Sequence, residues 1–159
     1  MKRLLVSTAL SLACCLSPAL TAGALVPNKA SDLRTVVGEA PGTQCPGINN
    51  PGFRTVDRQQ NPDGTTSPFS IPAKSVFVVT SLDVQVGGNG AGATAEAVLL
   101  VSDGTGNLTE IAECGGIAGS NGFATASCTM PVGTAVKSGA TLCFVGLRAI
   151  VHGFIARDK

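Results

Sequence analysis

The sequence predicts an all-β fold, an antiparallel β-sandwich of about seven or eight strands with jelly-roll or Greek-key wiring. Three observations predict it. After Lys74, apolar residues recur at every second position, the period of a strand with one buried face. Turn residues rich in Gly, Asn and Asp separate these runs at intervals of about ten residues. No helix of crossover length lies between the runs, which argues against a parallel sheet.

The first 24 residues stand apart from that fold. Lys2 and Arg3 give a basic start, Leu4 to Leu20 is an apolar run, and Ala22-Gly23-Ala24 supplies small residues for cleavage. This is the layout of a secretory signal, and the run is too short to read as a membrane span. Ser11-Leu12-Ala13-Cys14 loosely resembles a lipoprotein box, which would put a lipid on Cys14. The usual leading Leu is Ser here, and Cys15 and Leu16 to Leu20 continue the apolar run where a polar tether would be expected. The sequence therefore places the protein in the periplasm or outside the cell. Cleavage after Ala24 leaves 135 of 159 residues, expected as one domain over 25–159. Nine basic residues then face ten acidic ones. Without clustered Lys and Arg, neither nucleic acid nor an anionic membrane is an expected partner.

Residues 25–72 read as an irregular segment. Six of the nine prolines fall between Pro41 and Pro72, and Pro cannot donate to a sheet ladder. Phe53 to Asp57 and Phe69 to Ile71 are the strand candidates. Asn61-Pro62-Asp63-Gly64 is a turn, with Pro fixing φ and Gly accepting a positive one. Asn28 to Val37 is read as a short helix capped by Ser31.

Residues 73–159 form the expected sandwich body. Ser75 to Val86 alternates, with Val76, Val78, Thr80, Leu82, Val84 and Val86 on one side and Phe77 and Val79 on the other. The Phe77 side is expected to be covered by a second layer. Ala93 to Ser102 ends in Val98-Leu99-Leu100-Val101, apolar on both faces, as in a central strand. Asp103-Gly104-Thr105-Gly106 is a hairpin signal leading to Leu108 to Cys114. A loop over Gly115 to Gly122 precedes Phe123 to Met130. Pro131 to Gly139 holds a short strand at most. Thr141 to Val145 and Ala149 to Ala156 read as a terminal hairpin.

Four cysteines remain after the signal: Cys45, Cys114, Cys128 and Cys143. An even number in an exported chain reads as two disulfides. The expected pairs are Cys114–Cys128, joining neighbouring strands, and Cys45–Cys143, pinning the N-terminal third to the last strands. A zinc or redox site would usually show a C-x-x-C step, and none is present.

Chemistry is thinly represented. His152 is the single histidine, which excludes a multi-histidine metal site. As a general base it would need a nucleophile and an orienting carboxylate, and sequence names neither. No G-x-S-x-G elbow occurs. Lys137-Ser138-Gly139 lacks the serine-x-x-lysine partner that would make it more than a turn. Asp103, Thr105 and Asn107 alternate like the start of a calcium loop, but its twelfth position is Cys114, which has no carboxylate. There is no Trp and no Tyr, so sugar-stacking platforms are missing. No cofactor is expected.

These observations point to an exported, disulfide-stabilised, non-catalytic binding, adhesive or envelope-associated module of unknown partner, with a homo-oligomer or a cell-surface partner in view. A pilus-type variant would use Leu33 to Val37 as a donor strand. The alternative is a small secreted hydrolase using Asp57, Asp63 or Asp83. A minor third is an inhibitor presenting Gly115 to Ser127.

Overall fold

The computed structural model describes residues 26–158, so the stretch read as an export signal, with Cys14, lies outside the described residues. Ten strands form two antiparallel sheets, following a single 3-10 turn at Ala30–Asp32. They are β1 (Leu33–Glu39), β2 (Phe53–Thr55), β3 (Arg58–Gln60), β4 (Thr66–Pro68), β5 (Ser75–Val86), β6 (Thr94–Ser102), β7 (Leu108–Ile117), β8 (Ala124–Lys137), β9 (Thr141–Val145) and β10 (Arg148–Arg157). One sheet runs β4-β3-β1-β10-β5-β8 and the other β2-β9-β6-β7.

The pairing is nested. β6 pairs with β7, β5 with β8, β2 with β9, and β1 with β10. This is one long hairpin rolled over itself, the wiring of an eight-stranded jelly roll. The β3–β4 hairpin is an insertion added beside β1. Its turn is the expected Asn61-Pro62-Asp63-Gly64, closed by Asn61 N–H donating to the Thr65 carbonyl.

The core lies between the sheets. Phe77, Val79, Leu82, Val84, Val36 and Val151 meet Leu99, Leu142 and Phe144 there. β5 does not keep one stripe, as the alternation had implied. The ladder to β10 slips between Val79 and Ser81, with Val79 paired to Gly153 and Ser81 to His152, leaving Thr80 as an extra, bulged residue. One extra residue reverses parity. Phe77 and Val79 therefore face the main core together with Leu82 and Val84, while Val76 and Val78 turn to the opposite face with Phe154 and Ala156.

Four further expectations are corrected. The proposed Asn28–Val37 helix is only a single turn, and Leu33–Glu39 is a strand paired on both sides. Thr35-Val36-Val37 are β-branched and favour extended backbone. Because β1 already sits in its own sheet, it is not a free donor strand. Phe69–Ile71 is not a strand, and the extra strands are β3 and β4. β8 continues through Pro131, which an edge strand tolerates because its N–H need not reach a neighbour. Thr141–Val145 and β10 are not a hairpin, since they lie in different sheets. The short connection crosses between layers at Gly146, where a Cβ would come within 2.9 Å of the Gln85 carbonyl.

Both disulfides have a clear place in this frame. Cys114 on β7 is joined to Cys128 on β8, edge strands of opposite sheets, so the bond closes one open side of the sandwich. Cys45 is joined to Cys143 on β9. Cys143 faces away from the main core, into a small second cluster with Leu100, Ile48 and Phe53. The β1–β2 segment thus covers the back of the four-stranded sheet, which explains why β6 is apolar on both sides.

Candidate functional site

The polar chemistry of the molecule gathers on the outward face of the six-stranded sheet. His152 lies on β10 directly opposite Thr35 of β1, and residues directly opposite share a face. Thr35 Oγ1 is 3.1 Å from His152 Nδ1, in hydrogen-bond contact. On the other side, His152 Nε2 is 3.9 Å from Asp83 Oδ2, beyond direct hydrogen-bond length. Asp83 on β5 faces Ser127 on β8, whose hydroxyl donates to the Asp83 carboxylate. A row Thr35–His152–Asp83–Ser127 therefore crosses four strands. The Thr80 bulge touches the same place, since its hydroxyl donates to the His152 carbonyl at 3.2 Å.

This row supplies what the sequence did not name, a hydroxyl and a carboxylate on either side of His152. The row is open, with the His152 and Asp83 side chains 43% and 40% exposed. The strands on either side of it use their backbone in ladders.

Beside the row lies a groove of about 690 Å³. Its polar lining includes Arg34, Thr35, Gln59, Gln60, Asn61 and His152, and no carboxylate lines it. The Arg34 guanidinium is steadied by the Ser31 and Leu33 carbonyls. Sequence reading missed this groove because it read β1 as a helix and gave β3 no strand. The usable signal was the β-branched run at Thr35-Val36-Val37.

The three carboxylates considered for a hydrolase are not assembled. Asp63 serves its own turn, accepting from the Thr65 hydroxyl and backbone N–H. The Thr65 hydroxyl bond, and then the backbone bond, hold its carboxyl below the usual 3.8. Asp57 lines a separate cleft with Glu39, Arg58 and Arg148. Only Asp83 lies near His152. Asp103 is likewise structural. It accepts from the Asn107 side chain (2.8 Å), the Thr105 N–H (2.8 Å) and the Thr105 hydroxyl (2.8 Å), and these bonds hold it at about 2. The Gly115–Ser127 segment is mostly strand, with only residues 118–123 outside β7 and β8.

Among the described residues, no three His, Cys, Asp or Glu side chains gather as a metal site. No helix among them is long and apolar enough to cross a membrane. Comparison with protein-family models, with curated proteins and with solved structures finds no match.

Proposed function

We propose that this chain is an exported, disulfide-stabilised, non-catalytic binding module that uses the groove between β1, β3 and β10. The observation that carries the reading is the groove lining: amides, hydroxyls, an imidazole and one guanidinium, with no carboxylate. Such a surface offers donors and one fixed positive charge, which suits a ligand carrying carboxylate or phosphate groups. Export is supported by the N-terminal signal layout and by two disulfides, which persist in oxidising compartments.

The test is calorimetric titration with acidic oligosaccharides, acidic peptides and their neutral counterparts. Acidic ligands should bind, and Arg34→Ala should weaken them about tenfold or more, the worth of a hydrogen bond to a charged group. Equal binding of neutral ligands, or no change in R34A, overturns the reading. One observation favours a hydrolase as rival, the Thr35–His152–Asp83 order. Ester or glycoside turnover that disappears in His152→Ala would establish that rival.

A further inference from the structure

We infer that the outward face of the six-stranded sheet, at the end where β5 begins, is a peripheral docking surface for an anionic lipid membrane. Its cations lie outside the groove lining, and the inference stands whether or not the groove binds a ligand.

Lysines and arginines are scattered along the sequence, which argued against an anionic partner. The fold gathers four of them around the start of β5. Arg157 of β10 is opposite Ser75, and Lys137 of β8 is opposite Val76. Lys74 directly precedes β5, and its carbonyl accepts from the Asp158 N–H. Lys29 and Arg157 line one cleft of about 330 Å³ with Asn28 and Ser75. All four cationic residues are exposed, and among the described residues none of them makes an ion pair. The carboxylates beside them are Asp32 and Asp158. Asp32 is turned to its own backbone, accepting from the Asn28 and Lys29 N–H groups. This end is therefore positive, although the chain as a whole is close to neutral.

Lys74 adds a separate observation. Glycines apart, it alone among the described residues has a positive φ, at +57°. It is the third residue of the Pro72–Ser75 turn, closed by the Ser75 N–H donating to the Pro72 carbonyl at 3.2 Å. That position favours Gly. Gly would serve the turn better, so what the lysine contributes there is its charge.

Beside these cations the sheet face is apolar. Leu33, Phe154 and Val78 stand in register across β1, β10 and β5, and Val76 and Ala156 continue the patch toward Lys137. The centre of the patch is buried, and its two sides are displayed. Leu33 is 56% exposed, and Val132 of β8 is 95% exposed. Val132 belongs to a bulge that lies against the patch, since a Cβ on the next residue, Gly133, would be 2.6 Å from a Val78 methyl. Cations around displayed aliphatic side chains match the two layers of an anionic membrane surface, phosphates outside and acyl chains within. A single-stranded nucleic acid would use the cations but would also want aromatic stacking platforms, and the chain has no Trp or Tyr.

The experiment is vesicle co-flotation of the full disulfide-bonded protein. Vesicles of mixed phosphatidylglycerol and phosphatidylcholine are compared with phosphatidylcholine alone, at low and high salt, with heparin titrated in parallel. The protein should float with the anionic vesicles at low salt, leave them at high salt, and ignore the neutral ones. Lys74→Gly should bind about fivefold more weakly while melting no lower than the parent, because Gly suits the turn. Val132→Ser keeps every charge and alters an exposed side chain; it should weaken binding about tenfold. Glu113→Gln, on the opposite sheet, should bind like the parent. No binding to anionic vesicles, equal binding to neutral ones, or binding indifferent to K74G or to V132S would each overturn the inference. Heparin binding as tight as vesicle binding would assign the face to polyanions and overturn it equally.

Discussion

Removing each disulfide separately tests the roles the fold gives them. Cys45–Cys143 spans a sequence separation of 98 residues and Cys114–Cys128 one of 14. Restriction of the unfolded chain then contributes about 4.7 and about 3 kcal/mol respectively. A domain of about 135 residues has an unfolding entropy near 0.28 kcal/mol/K, so each kcal/mol moves Tm by about 3.5 °C. Cys45→Ala/Cys143→Ala should therefore lower Tm by about 16 °C, and Cys114→Ala/Cys128→Ala by about 10 °C. Packing pushes the ranking the same way. Cys45 and Cys143 are both buried, in a cluster with Leu100, whereas Cys128 is only partly buried. Calorimetric melting of the two double variants and the parent at pH 7 without reductant is the assay. Loss in the Cys114/Cys128 variant equal to or greater than that in the other pair would refute the reasoning.

Two further outcomes follow from single positions. Gly153→Ala should lower Tm, because its Cβ would come 2.2 Å from the Val78 carbonyl and 2.8 Å from the Phe77 ring. Overpacking costs about 1–3 kcal/mol; a Gly→Ala change in an unstrained strand would instead stabilise, so an unchanged or higher Tm sinks the prediction. Asp103 has a folded pKa of about 2, below its ordinary 3.8. Its contribution is present above about 3.8 and is lost as pH falls through about 2. The Tm gap between parent and Asp103→Asn should be open at pH 7 and close near pH 2, and a gap independent of pH would contradict the turn geometry.

The strands after Lys74 were legible because their period is carried by side chains alone. Ser75–Val86 was read to the residue, and the β6–β7 hairpin was announced by Asp103-Gly104. What could not be read depends on partners. Gly146 looks the same in a hairpin as in a crossing between sheets. β1 was obscured by Ser31 and Asp32, which resemble a helix start. The site was legible only in part. His152 stood out as the single histidine, but Thr35 is 117 residues away from it. No spacing rule joins residues that distant; the nested pairing of β1 with β10 does.

The departure of β5 from regular alternation lies beside the histidine row, and parity explains why. Phe77 and Val79 must face the core with Leu82 and Val84, and an uninterrupted strand cannot do that across the interval from 79 to 82. An odd residue has to leave the ladder, and Thr80 is that residue. Its removal from the ladder with β10 turns its hydroxyl to the His152 carbonyl. Bulges of this kind re-aim side chains at sheet edges and beside binding sites. A single packing requirement, two large apolar pairs of opposite parity on one face, thus fixes the neighbourhood of the histidine row.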